Sequence, residues 1–185
     1  MSRRRPRIPP RRPIYLGCEG ASEYGYGALL DRLAREAGTV HLHIHREILQ
    51  PGAGDPLALV QRAAERIADI ERRRTPFAAK AVLIDRGSRR KNADAVGYAR
   101  QNGIGHVIWQ DPDHEGFLLR HLPGCRRRRP PRGASLPALR QQWPGYDKGM
   151  SAQELARRIG LEHIRAVCTV ENDLRAFLEA LGLIP

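Results

Sequence analysis

The feature that most constrains this chain is the alternation of short apolar runs with amphipathic segments. An apolar run of a few residues that stops at glycine or a polar residue is typical of a buried strand, and strict alternation predicts a half-buried one. The predicted strands are residues 14–16, 40–48, 79–84 and 106–109. Helical periodicity fills the segments between them. Strands alternating with helices predict an α/β fold, with a mostly parallel sheet of about four strands and helices on both faces.

Capping residues and apolar spacing predict where the helices lie. Ser, Thr and Asp side chains accept the N–H groups that the first helical turn leaves unpaired. The predicted N-cap residues are Ser22, Asp55, Asp113, Ser151 and Thr169. The predicted buried stripe of the second helix is Leu57, Val60, Ala64, Ile67 and Ile70. Further helices are expected after the last strand.

A length of 185 residues suits one compact domain with appended segments. Residues 1–13 are rich in arginine and proline, a composition typical of a disordered basic tail. Residues 14–150 contain all the predicted strands and form the predicted α/β domain. Residues 151–185 are predicted to add a C-terminal helical extension to that same domain.

The net charge of +12 is concentrated in two arginine blocks, residues 1–13 and 125–133, which contain neither acid nor lysine. Arginine binds phosphate oxygens through a planar fork of donors, so such blocks favour contact with nucleic acid. The alternative is that both blocks are solvated and only keep the protein soluble. The predicted nucleic-acid-binding residues are Arg86, Arg89, Arg90, Arg126, Arg127, Arg128, Arg129 and Lys148, although Lys148 also suits a solvated position.

Several classes of protein are disfavoured. No run approaches the roughly 18 apolar residues of a membrane span, and no apolar segment follows the N-terminal arginines as in a signal peptide, so we expect a soluble cytoplasmic protein. Cys18, Cys125 and Cys168 lack CxxC spacing, which argues against a disulfide framework or a zinc ribbon. The alternating histidines at 41, 43 and 45 are interpreted as a polar strand face. His114 and His121 suit ligands or general acids, but buried, hydrogen-bonded histidines are favoured.

Acidic residues follow the predicted strands. Glu19 comes after the first strand, Asp85 ends the third, and Asp111 lies just past the fourth. The carboxyl ends of parallel strands share one edge of a sheet, where sites form. Clustered carboxylates there can hold a divalent metal ion and hydrolyse phosphodiesters. The alternative is that Glu19 and Glu23 stabilise a helix N-terminus and Asp85 caps the next segment.

Five landmarks in order resemble those of RloB-like proteins and cover most of residues 14–150. They are Cys18-Glu19-Gly20 with Glu23 and Tyr26, Gly54-Asp55-Pro56, Asp85-Arg86 after an apolar strand, residues 111–121, and Gly145-Tyr146-Asp147-Lys148. The resemblance implies a Toprim-like fold and a role in phage defence, with a partner ATPase encoded nearby. It also implies that Glu19 acts as acid or base and that Asp85 is the first aspartate of a magnesium-binding DxD motif.

The chain departs from that pattern at Gly87, which replaces the second DxD aspartate. Two functions follow. In the first, the chain is a nuclease dependent on Mg²⁺ or Mn²⁺. Its predicted catalytic residues are Glu19 and Glu23, and its predicted metal ligands are Asp85, Asp111, Asp113 and Glu115. In the second, the chain is a catalytically degenerate module that binds nucleic acid or the ATPase.

Overall fold

The predicted α/β fold is present in the computed structural model, which describes residues 11–50 and 54–185. Four strands form one sheet in the order β2-β1-β3-β4, and every neighbouring pair is parallel. The strands are β1 (Arg12–Cys18), β2 (Leu42–Ile48), β3 (Ala79–Asp85) and β4 (His106–Gln110). This arrangement is consistent with the Toprim-like architecture that the resemblance implies.

Helices cover both faces of the sheet, as predicted. They are α1 (Ala21–Ala37), α2 (Pro56–Glu71), α3 (Arg89–Gln101), α4 (His114–Leu119), α5 (Ser135–Gln142), α6 (Ala152–Leu155), α7 (Leu161–Val167) and α8 (Asn172–Leu181). Helices α2 and α3 form one core with one face of the sheet, and α1 with the helices after β4 forms the other. The sheet therefore lies between two helical layers and is buried on both sides.

The strand order creates a crevice between β1 and β3. The chain leaves β1 through α1 towards β2 on one side, whereas it leaves β3 through α3 towards β4 on the other. Connections that depart in opposite directions leave the carboxyl ends of the two central strands uncovered, and this is where α/β sheets bind ligands. Glu19 and Asp85 lie at this point, one at the end of each central strand.

Several predicted boundaries are confirmed and others are shifted. Asp55, Asp113 and Ser151 are N-caps, and Ser151 forms a capping box with Glu154. The predicted cap at Ser22 is wrong, because Gly20 is the N-cap of α1. The predicted cap at Thr169 is also wrong. Its hydroxyl donates to the carbonyl of Ala166, and α8 begins three residues later with Glu171 as its N-cap.

The buried stripe of α2 is rotated relative to the prediction. Val60 and Ile67 are buried as expected. Leu57, Ala64 and Ile70 are only half-buried, and their places are taken by residues 56, 59 and 63. The reason is that α2 packs against α3 as well as against β3, so its most buried line faces both elements.

Strand β1 begins at Arg12, two residues before the predicted start, because its first residues pair with β2 at Leu42 and His43. Most of the predicted disordered tail, residues 1–10, and residues 51–53 of the predicted turn lie outside the described residues. Of the three histidines interpreted as a polar, exposed strand face, His43 is exposed on the edge strand β2, as expected. His45 is instead half-buried, with its ring 6.1 Å from that of Tyr15, and His41 precedes the strand. None of the helices formed by residues 11–50 and 54–185 combines the length and apolarity needed to cross a membrane.

A buried histidine joins α1 to α4. His121 is 2% exposed, and its Nε2 lies 2.9 Å from the Tyr26 hydroxyl, while its Nδ1 lies 3.0 Å from the carbonyl of Phe117. These contacts suit a neutral ring that donates through Nδ1–H and accepts through Nε2. Burial lowers the pKa of His121 to about 3, from an ordinary value of 6.5.

This histidine should make folding sensitive to acid. Below about pH 6.5 the unfolded chain binds a proton that the folded protein does not, so stability falls as the pH drops towards 3. For His121 alone the loss at pH 5 is about 2 kcal/mol. We expect His121→Gln to flatten this slope in denaturant unfolding at pH 5 and 7.5, with the exposed His43→Gln as control. A slope in His121→Gln as steep as in the wild type would contradict this account.

Candidate functional site

Glu19 and Asp85 are held together at the carboxyl edge of the sheet. The backbone N–H of Asp85 donates to Glu19 Oε2 at 2.8 Å. The backbone N–H of Glu19 donates to the carbonyl of Leu83 at 3.2 Å, which continues the pairing of β1 with β3. Both side chains are half-buried. The structure therefore brings together the two strand-end carboxylates that the sequence predicted.

Gln110, the last residue of β4, contacts Asp85 and Glu23 through its side-chain amide. It is completely buried. Its amide nitrogen donates to Glu23 Oε1 at 3.0 Å and to Asp85 Oδ1 at 3.1 Å, and its amide oxygen accepts from His114 Nδ1 at 2.5 Å. In this orientation the amide nitrogen faces two carboxyl oxygens and the amide oxygen faces the His114 ring nitrogen, so both ends of the amide have a partner. Gln110 is a functional residue that the sequence reasoning missed.

Burial, with nearby negative charge as a second cause, disfavours the ionised form of Asp85. Burial, followed by the neighbouring carboxylates Glu19, Glu23, Asp113 and Glu115, raises the pKa of Asp85 to about 8. Burial likewise raises the pKa of Glu23. The Asp85 carboxyl group is therefore mostly protonated at neutral pH, and a bound cation would stabilise its charged form.

Two clefts meet at the Glu19–Asp85 pair. The larger cleft has a volume of about 730 Å³, and its charged lining residues are Glu19, Asp85, Arg86, Lys91, Asp111, Asp113 and Arg132. The smaller cleft has a volume of about 310 Å³, and its charged lining residues are Glu19, Glu23, Asp85, Glu115 and Lys148. A ligand that spans both clefts must pass over the two strand-end carboxylates.

The other predicted metal ligands are divided between these clefts. Asp111 lines the larger cleft. Asp113 does so too, but its carboxylate caps α4 by accepting the N–H of Gly116 at 2.9 Å. Glu115 is buried in the smaller cleft, 3.4 Å from Lys148 Nζ. In the part of the chain that the structure describes, no three His, Cys, Asp or Glu side chains are grouped as ligands of one metal ion. A metal role for these three acids stays a prediction.

Glu23, the second predicted catalytic residue, has both carboxylate oxygens engaged. Oε2 accepts the backbone N–H of Gly20 at 2.9 Å, and Oε1 accepts from the amide of Gln110. The side chain is 6% exposed and stabilises the first turn of α1. This geometry agrees with the alternative that Glu23 favours the helix N-terminus, and its catalytic role stays a prediction.

Gly87 is packed too closely to be replaced without a shift of its neighbours. A Cβ atom there would lie 3.0 Å from Cγ of Pro56 and 3.3 Å from Oδ1 of Asn92. The N–H of Gly87 donates to that oxygen at 2.9 Å, and its carbonyl accepts from Asn92 Nδ2 at 3.2 Å. The backbone turn after β3 is therefore built around glycine, and the carboxylates of the site must come from elsewhere.

The predicted cationic residues do not all reach the site. Arg86 lines the larger cleft, with its guanidinium carbon 5.9 Å from the centre of the Trp109 ring. Arg89 and Arg90 are exposed at the start of α3, outside the linings of both clefts as described. Arg126 and Arg127 line a separate depression of about 570 Å³.

Two further arginines of residues 125–133, the arginine loop, make structural contacts. Arg128 Nη1 lies 3.9 Å from the Cys125 sulfur, and Arg129 Nη2 donates to Glu171 Oε1 at 2.9 Å. Lys91 and Arg132, which were not predicted as site residues, line the larger cleft instead. The sequence does not single out Lys91 or Arg132 as a site residue, because each is one basic residue among several neighbours of the same charge.

Arg120 supports the loop that follows β4. Its side chain is completely buried, and Nε donates to Glu171 Oε1 at 2.5 Å. Its Nη1 donates to the carbonyls of Asp111 at 2.7 Å and Gly116 at 2.9 Å. A buried cation needs such partners to offset its loss of hydration. Arg120 thereby fixes the position of residues 111–113, which follow β4 and line the larger cleft.

Lys148 reaches the smaller cleft because the chain packs against α1 at a glycine. A Cβ atom on Gly25 would lie 2.1 Å from the carbonyl oxygen of Met150. Beside this contact, the N–H of Gly149 donates to the Ser22 hydroxyl at 3.1 Å. Glycine at position 25 is therefore required for the approach that places Lys148 beside Glu115.

The burial of Asp85 among other carboxylates predicts that removing its carboxyl group stabilises the protein. A carboxyl group with a raised pKa stabilises the folded state below about pH 4, and that contribution is lost as the pH rises through 8. We expect Asp85→Asn to raise the free energy of unfolding at pH 8 by about 1–3 kcal/mol, a value discounted for the partial exposure of Asp85. Denaturant unfolding from pH 5 to 8 measures this, and the exposed Asp94→Asn is the control. Destabilisation of Asp85→Asn at pH 8 would refute it.

Comparison of the chain with protein-family models, with curated proteins and with solved structures gave no significant match. The resemblance to RloB-like proteins therefore stays a prediction from sequence motifs.

Proposed function

We propose that this protein is a metal-dependent nuclease that hydrolyses phosphodiester bonds of nucleic acid. The observation that carries the proposal is the Glu19–Asp85 pair at the crevice of a parallel sheet, in which the Glu19 carboxylate accepts the backbone N–H of Asp85. The described hydrogen bonds engage one oxygen of each carboxylate. The second oxygens suit contact with a cation or a water molecule.

The residues present fit Mg²⁺ or Mn²⁺. Magnesium keeps several water ligands and is usually bound by one or two carboxylates together with substrate phosphates, so a third acid is not required. Asp85 would hold the metal, and a divalent cation would offset the repulsion that raises the pKa of Asp85. When bound, the metal activates water and stabilises charge on the phosphate.

The protein's own groups have distinct tasks in this proposal. Glu19 accepts a proton from the attacking water, since it is half-buried and adjoins both clefts. Gln110 keeps Asp85 oriented by donating to its Oδ1. Lys148 lies on the far side of the carboxylate pair and offers a positive charge to a phosphate in the smaller cleft.

The family resemblance supplies the biological setting of the proposal. It favours a cytoplasmic protein of phage defence that acts together with an ATPase. Its support is the order of the five motifs, of which the Glu19 and Asp85 motifs supply the carboxylate pair.

A binding module without catalysis is the second candidate. It is favoured by Gly87, which supplies no second acid of a DxD motif and where a side chain would require Pro56 and Asn92 to shift. It is also favoured by the division of Asp111 and Glu115 between the two clefts. In this case the cationic residues would bind nucleic acid, or the chain would dock on its ATPase, without cleavage.

The nuclease proposal predicts metal-dependent cleavage that requires the carboxylate pair. With Mg²⁺ or Mn²⁺, the purified protein should cut single-stranded DNA or RNA, measured by gel electrophoresis of end-labelled substrates. Glu19→Gln and Asp85→Asn should each lower the rate by about 10²–10⁴-fold, because one removes a proton acceptor and the other a metal ligand.

Matched controls separate catalysis from charge. Glu65→Gln on α2 and Asp94→Asn on α3 make the same chemical changes at exposed positions, and both should retain wild-type rates. Cleavage that persists in Glu19→Gln would exclude the proposed mechanism. Binding of nucleic acid without cleavage under any metal condition would favour the binding module.

A further inference from the structure

The larger cleft has a cationic wall built from two separate segments. Lys91 comes from the first turn of α3, and Arg132 comes from the end of the arginine loop. Arg132 Nη2 donates to the carbonyl of Arg86 at 3.0 Å, which ties that loop to the end of β3. The wall therefore stands directly beside the strand that carries Asp85.

Both cations are available for a ligand. Arg132 is exposed. Lys91 is also exposed, and its one described ionic contact, to Asp55, is 3.9 Å long between half-exposed side chains. Such exposed ion pairs contribute little free energy, so a phosphate can replace the carboxylate as the partner of Lys91. The first turn of α3 contains no acid that would oppose an anion there.

The position of Arg132 distinguishes it from the other arginines of its loop. Arg126 and Arg127 line the separate depression, and Arg129 is paired with Glu171. The charge of the sequence does not distinguish these arginines from one another. In the structure, Arg132 is the arginine of residues 125–133 that lines the larger cleft.

We infer that Lys91 and Arg132 form a phosphate-binding wall that holds one strand of nucleic acid in the larger cleft. This inference rests on the proposed function and names its substrate class. The strand crosses the Glu19–Asp85 pair and continues into the smaller cleft, where Lys148 meets the next phosphate. Guanidinium and ammonium groups on either side of the carboxylates fix the backbone so that one phosphodiester lies over them.

The dimensions of the cleft favour a single strand. Its volume of about 730 Å³ is in the range of sites that enclose small ligands, about 300–1,000 Å³. A volume of this size suits one or two nucleotides of a single strand. The four acids in the lining would repel a phosphate without a cation, so a divalent ion should strengthen binding.

Fluorescence anisotropy with a labelled ten-nucleotide single strand tests the wall. Binding is measured with Ca²⁺, an oxygen-preferring cation, and with EDTA, at several salt concentrations. Lys91→Gln and Arg132→Gln should each weaken binding by about tenfold and lower the slope of log affinity against log salt by about one. Arg126→Gln and Arg127→Gln remove the same charge outside the cleft and should each change affinity less than about twofold.

Two outcomes would overturn the inference: absence of binding by the wild type, or equal losses in the cleft and control variants. A duplex of the same sequence that binds as tightly as the strand would overturn the single-strand assignment. Failure of the proposed nuclease function and failure of the phosphate-binding wall give different results. If Lys91→Gln and Arg132→Gln selectively lose binding but the wild type does not cleave, the phosphate-binding wall is supported and the nuclease function is rejected. If both variants cleave at the wild-type rate, the nuclease function is supported and the phosphate-binding wall is rejected.

Discussion

The hydrogen bond from the Asp85 N–H to Glu19 Oε2 joins the ends of the two central strands, and the candidate site depends on it. A parallel sheet leaves backbone donors unpaired where its strands end, and a carboxylate that accepts one of them is held in a fixed place. The strand order β2-β1-β3-β4 leaves this place uncovered by connecting segments. Topology and one local hydrogen bond thus present two acids side by side at the meeting point of both clefts.

The cost of this arrangement is crowded negative charge in a partly buried position. Burial and four neighbouring carboxylates raise the pKa of Asp85, and Gln110 relieves the crowding only by donating two hydrogen bonds. Functional sites commonly retain such unfavourable charge because binding of the proper ligand removes it. A divalent cation is the simplest ligand that would do so here. The cations at the rim, Lys91, Arg132 and Lys148, would then face a phosphate bound to that metal.

The sequence predicts the carboxylate pair because Glu19 and Asp85 each follow a run that is recognisable as a strand, and parallel strands end at one edge. Gln110 could not be predicted, since an uncharged amide at the end of β4 has no sequence signal and acts only through neighbours distant along the chain. The arginine loop shows a second limit of prediction from sequence. Composition identified the loop as basic, but only its three-dimensional path separates Arg132, at the site, from Arg126, in another depression.

Binding of Mg²⁺ and Mn²⁺ by isothermal titration calorimetry tests the central claim most directly, because it requires no substrate. The comparison is between the wild type, Asp85→Asn and the exposed control Asp94→Asn at pH 8, where about half of the wild-type Asp85 carboxyl groups are ionised before metal binds. The account predicts binding by the wild type and by Asp94→Asn, with affinity at least about tenfold weaker in Asp85→Asn. Absence of binding by the folded wild type, or equal binding by Asp85→Asn, would contradict it.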